Sequence, residues 1–194
     1  NVTRAFASVR DVVRGKIERL PGGDLETVLA EMDRLWNIAP ARHLFLVSDP
    51  EPAHNLLEAT GAKAARKQDI VLPFLVAQRW YKLLGSRSDL GPGTLAATVS
   101  LGGSFGFDGQ APSPAGGGIS GLIKAVAIED SRREAPLVRC KVLDAPPADS
   151  PEAVVSALLA ELVDGHLVLV EALGAVLLLD LPLDGQAVAV PAGH

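Results

Sequence analysis

At 194 residues, 48% hydrophobic and 21% charged, the chain has the length and composition of a globular protein with one sizeable core. Its formal charge of -5, with Lys and Arg spread along the sequence, leaves no electrostatic footprint for nucleic acid and no polybasic patch for a membrane surface. The single cysteine, Cys140, excludes an intrachain disulfide and a multi-cysteine metal site and fits a reducing cytoplasm; its expected setting is a buried strand.

Residues 2 to 14 carry Val2, Phe6, Val9, Val12 and Val13 at helical spacing. Lys16 to Leu20 is compatible with a short strand, which the turn Pro21-Gly22-Gly23 ends. Asp24 is placed to cap a helix from Leu25 to about Asn37, whose Leu25, Val28, Leu29, Met32, Leu35 and Trp36 form one apolar stripe. The compact apolar run from His43 to Asp49 reads as a buried parallel strand, and a long helix centred on Ile70 to Leu84 follows it. Thr94 to Ser100 is a second strand after Gly91-Pro92-Gly93, leading into the glycine-rich loop Leu101 to Gly118. A helix over Ile119 to Asp130 and a strand over Val138 to Asp144 complete a strand, helix, strand alternation.

Ser150 and Pro151 occupy the cap and first-turn positions of a helix reaching about Val163. Three apolar runs, Leu167 to Leu173, Ala175 to Leu181 and Ala187 to Val190, are separated by turn residues and predict antiparallel hairpins added to, or extending from, the main sheet. Glu171, Gly174, Asp180 and Pro182 interrupt the stretch from His166 to Leu183, so it reads as short strands and not as a membrane span. No charged-then-apolar leader opens the chain, and its start at Asn1 fits an excised segment.

Gly116, Gly118 and Gly121 match the dinucleotide fingerprint GxGxxG, and Asp144 closes the following strand, where a ribose-binding acid is expected. The fingerprint works when its first glycine turns the chain directly out of a strand end, so that a pyrophosphate meets the helix N-terminus. Leu101 to Ala115, with Pro112 and Pro114, separates Gly116 from the nearest strand. Two readings therefore stand: a nucleotide site built from Gly116, Gly118, Gly121 and Asp144, or a flexible loop feeding a tightly packed helix with no cofactor-binding role.

The segment VSLGGSFG resembles the strand and loop that carry the catalytic serine of short-chain dehydrogenases/reductases, and GLIKAVAIED resembles the helix containing or following their YxxxK motif. Anchored on Gly121-Leu122, that resemblance places Pro112 at the tyrosine and Gly116 at the lysine, neither of which has a side chain that exchanges a proton. Ser100 and Ser104 each approximate the serine; the only tyrosine, Tyr81, lies in a helix outside this unit, and the usual N-terminal GxxxGxG loop is absent.

A reductase outline without its catalytic residues resembles the structural subdomain of ketoreductase domains in polyketide synthases and polyunsaturated-fatty-acid-synthase-like megasynthases. The segments LETVLAEMDRLWNIAPARHLFLVSD, VLPFLVAQRW, TVSLGGSFGF, GGGISGLIKAVAIED and VRCKVLD carry the resemblance in that order. It implies an α/β fold with a truncated Rossmann-like parallel sheet flanked by helices, occupying residues 1 to 165. Hairpin strands over 166 to 194 would lead to an absent catalytic subdomain. It implies a cytoplasmic scaffold that is not itself an enzyme and has no catalytic, cofactor or metal residues of its own. Its partners are the NADPH-binding catalytic subdomain, the other domains of the same synthase and, indirectly, the acyl carrier protein, with no nucleic acid and no membrane. The parent reduces β-ketoacyl thioesters. Gly116, Gly117, Gly118 and Gly121 then serve close approach of a helix to the sheet. The alternatives are a small Rossmann-type nucleotide-binding enzyme and a degenerate reductase fold used for dimerisation or docking.

The remaining reactive residues read as structural. His43, His54, His166 and His194 lack metal-ligand spacing, with His43 expected as a satisfied edge residue and His54 paired with Glu58 one helical turn away. Lys124 and Glu129 are expected to face solvent or an interface, and Trp36, Trp80 and Tyr81 to anchor the core or an interface.

Overall fold

A computed structural model describes residues 17–20, 24–47, 67–109, 115–146, 148–154, 157 and 176–179. The expected N-terminal helix over 2–14, the expected pair of His54 and Glu58, the apolar runs 167–173 and 187–190, and Pro112, His166 and His194 lie outside them.

Strand β1 (Ile17–Arg19) is followed by helix α1 (Leu25–Ile38), which begins where an acid at the N-cap predicts it. The Asp24 carboxylate accepts from the Thr27 backbone N–H at 3.0 Å and from the Thr27 hydroxyl at 2.8 Å, satisfying a donor that the first helical turn leaves free. Val28, Met32, Leu35 and Trp36 are buried along one stripe, and the helix stops at Ala39-Pro40, a proline being unable to continue it. Strand β2 (His43–Val47) is buried at every position, as its uninterrupted apolar sequence requires.

A π-helical turn over Lys67–Val71 opens into helix α2 (Leu72–Gly85), with Pro73 placed early enough to cost no hydrogen bond. Strand β3 (Gly93–Val99), helix α3 (Ala115–Asp130) and strand β4 (Val138–Asp144) follow. Helix α3 begins at Ala115, four residues before the expected Ile119, so Gly116 to Gly118 belong to its first turn and not to a flexible loop. Residues 151–154 are again helical, with the Ser150 hydroxyl accepting from the Ala153 N–H at 3.2 Å as a cap.

The sheet has the order β1-β5-β2-β3-β4, where β5 is Val176–Leu179. Strands β2, β3 and β4 are parallel neighbours, pairing His43 with Thr94 and Gly93 with Val138 at the start of each ladder, and each connection passes through a helix as parallel pairing demands. The fold is thus α/β, with a truncated Rossmann-like parallel sheet flanked by helices. Strand β5 joins the main sheet, as expected of the C-terminal apolar runs. It runs antiparallel between β1 and β2, pairing Leu179 with both Ile17 and His43. An uninterrupted Val-Leu-Leu-Leu sequence suits that interior position.

The core gathers around Trp80, Phe45, Met32, Leu44, Leu46, Leu84 and Leu95, all fully buried. Trp80 lies where α2 meets the sheet, and its indole N–H donates to the Ala41 carbonyl at 2.8 Å. Opposite it, Gly93 has no room for a side chain: a Cβ there would stand 2.1 Å from the Arg42 carbonyl oxygen, 2.8 Å from Leu84 Cδ2 and 3.2 Å from Trp80 Cζ2. Across the helical layer, the Arg79 guanidinium of α2 grips the Asp33 carboxylate of α1 through two 2.8 Å bonds. That pair is half-exposed and contributes orientation more than stability. Among the described residues, no helix is long and apolar enough to cross a membrane.

Because the atom closest to the missing Cβ is main chain, relief requires the sheet itself to move. Gly93→Ala is expected to destabilise the protein by about 3 kcal/mol or more, read as a fall in the urea midpoint, whereas Gly91→Ala, with open space around it but φ +68° and ψ -172°, a region essentially confined to glycine, costs about 1 to 3 kcal/mol of backbone strain alone.

Candidate functional site

In open α/β sheets ligands bind beyond the carboxyl ends of the parallel strands. Here that edge holds the end of β3, the loop Leu101 to Gly109, the first turn of α3 and Asp144 at the end of β4. The loop has a left-handed backbone at Gly102, Gly103, Gly106 and Gly109, and also at Phe105, where φ is +53° and a side chain makes the conformation costly. It is nevertheless a built structure: Gly106 N–H donates to the Leu101 carbonyl at 2.8 Å, Phe107 N–H to Ser104 at 3.1 Å and Gly109 N–H to Gly106 at 3.0 Å.

Asp144 holds this loop. Its carboxylate is 7% exposed, with Oδ1 accepting from the Leu101 N–H and Oδ2 from the Phe105 N–H, each at 2.6 Å. Charge-assisted bonds of this length are strong, and the second fixes the amide of the residue in the unfavourable conformation. The acid expected to receive a ribose is therefore bonded through both oxygens to the preceding loop.

The glycines are equally specific in what they touch. A Cβ on Gly116 would stand 3.1 Å from Val99 Cβ and 3.2 Å from Leu101 Cγ, so this residue lets α3 lie close on β3. A Cβ on Gly118 would meet the Ile70 side chain at an ordinary 3.5 Å, so this position does not require glycine. Gly117 and Gly121 have nothing within 4 Å, which corrects the expectation that all of them serve helix-to-sheet contact. Gly121 lies in the second turn of α3, where the helix absorbs its N–H. Gly116, Gly118 and Gly121 thus sit on a helix separated from the end of β3 by fifteen residues of chain, and not at a strand-to-helix turn.

Of the other reductase-like positions, Ser100 is buried, and the Ser104 hydroxyl accepts from the Asp108 N–H at 3.4 Å. Lys124 and Glu129 are exposed. Tyr81 is at the opposite end of β4: its hydroxyl donates to Asp130 Oδ1 at 2.5 Å, and burial, followed by the Asp130 hydrogen bond, pushes its pKa up to about 12. A general acid works best with a pKa near the operating pH, so this phenol is tuned away from that use. Cys140 sits half-buried on β4, which has one strand neighbour among the described residues; burial, then the Asp130 charge, pushes its thiol up to about 12 and away from nucleophilic chemistry. Among the described residues, no group of three His, Cys, Asp or Glu is placed to hold a metal.

Three features escaped the sequence reading. Asp130, 2% exposed, accepts from the Leu137 N–H at 3.1 Å and the Val138 N–H at 2.9 Å besides the Tyr81 hydroxyl, fastening the start of β4 to both α3 and α2. Its signal was an acid at a helix C-terminus, where the dipole disfavours an anion unless donors are brought to it. Phe105 and Phe107 stand 46% and 93% exposed on the loop, an aromatic placement that no spacing rule marks. His43 lies inside the sheet, between β5 and β3, and not at an edge; Nδ1 shares a 2.9 Å hydrogen bond with the Thr94 hydroxyl, and Nε2 has no partner among the described residues.

Burial, then the neighbouring Arg42 charge, holds the His43 pKa down at about 4 against an ordinary 6.5. A proton then binds the unfolded chain more readily than the folded one, so this group's contribution is fully present above about pH 6.5 and is lost as pH falls towards 4. The expected loss is roughly 3 kcal/mol across that window, seen in denaturant unfolding at stepped pH, and His43→Leu combined with Thr94→Val should flatten it.

Two substitutions distinguish packing from binding at the edge. Asp144→Asn turns one acceptor into a donor facing an N–H and should cost about 2 kcal/mol, with faster hydrogen exchange at the Leu101 or Phe105 amide. Gly117→Ala and Gly121→Ala should each raise stability by roughly 0.5 to 1 kcal/mol, as helix propensity dictates, while Gly116→Ala lowers it because Val99 cannot withdraw. Comparison of the chain with protein-family models, with characterised proteins and with solved structures finds no match.

Proposed function

We propose that this chain is a noncatalytic structural subdomain of a ketoreductase, bracing an NADPH-dependent catalytic subdomain within a polyketide or polyunsaturated-fatty-acid-type synthase. The parent enzyme reduces a β-ketoacyl group carried as a thioester on an acyl carrier protein, and this chain contributes a rigid surface and no reacting group.

The observation that carries the reading is the use to which the reductase-like edge is put. Asp144, in the place of a ribose-binding acid, accepts two backbone N–H groups of its own chain, and Gly116, in the place of the catalytic lysine, is packed against Val99 and Leu101. The strand, helix, strand order is compatible with a reductase half, and the side chains at the carboxyl edge of its sheet hold the fold. A scaffold next to a catalytic copy accounts for both facts.

Titration of the full chain with NADPH and NADH, followed by intrinsic fluorescence and calorimetry, should give no saturable binding, and NADPH should not be consumed with a β-ketoacyl thioester. Saturable binding abolished by Gly118→Asp would overturn the reading in favour of a nucleotide-binding protein. A second measurement is independent of binding: the coding sequence adjoining this segment, or a neighbouring gene, should specify a GxGGxG-type loop and a Tyr-x-x-x-Asn or Tyr-x-x-x-Lys motif.

A further inference from the structure

We draw no further inference here: the strongest candidate, the aromatic tip of the loop between β3 and α3, where Phe105 and Phe107 stand in solvent on a backbone held by Asp144, is an apolar surface for which nothing in the structure shows what covers it.

Discussion

The fold depends on one close approach, between Trp80 of α2 and the start of β3 at Gly93. A tryptophan buries more apolar area than any other side chain, but it must lie flat and find an acceptor for its N–H. Both conditions are met because Gly93 removes the only atom that would stand in the way, and because the Ala41 carbonyl, just before β2, is turned towards the indole. The same few residues also carry the sheet: the Gly93 N–H donates to Leu137 at 2.8 Å and the Thr94 N–H to Arg42 at 3.1 Å, so the ring, the helix and the first rungs of both parallel ladders are set together. The register of β2, β3 and β4 follows from this corner.

Two buried carboxylates then hold β4, the edge strand among the described residues, at its ends. Asp130 gathers donors from α2 and from the first residues of β4; Asp144 gathers donors from the loop that leaves β3. Removing a carboxylate from water is costly, and each acid recovers that cost only because two main-chain N–H groups converge on it. An edge strand lacks a neighbour on one side, so fastening its ends replaces part of the cooperativity that an interior strand receives from both. Arg139 and Lys141 along β4 add charge to that margin, a feature that discourages pairing with other chains.

Elements whose signals are local were legible in the sequence. Asp24 caps α1, the apolar runs of β2 and β3 are buried strands, and the alternation from Gly93 to Asp144 is a strand, helix, strand unit. What was not legible depends on contacts distant in sequence. The Gly116 to Gly118 segment reads as loop in the sequence, yet it forms the first turn of α3, where Gly116 lets the helix lie close on Val99 and Leu101. Strand β5 is antiparallel and joins the main sheet, as the C-terminal apolar runs predict, but its place between β1 and β2 is one that no local pattern encodes. His43 was taken for an edge residue for the same reason: β5 converts the margin of β2 into an interior.

The working edge gives the sequence resemblance its physical content. A dinucleotide site requires free donors and a free acid at a short strand-to-helix turn, all left unsatisfied by the protein so that a ligand can complete them. Here fifteen residues separate β3 from α3, the N–H groups of Gly106, Phe107 and Gly109 bond to carbonyls of the same loop, and Asp144 bonds the N–H groups of Leu101 and Phe105, the latter in a left-handed conformation. Strain of that kind persists only where surrounding bonds impose it, and here the Asp144 carboxylate imposes it on the Phe105 amide. On the proposed reading, the two demands are exclusive: a carboxylate that closes on its own loop gains a rigid edge and gives up the ribose, and rigidity is the property a bracing subdomain needs.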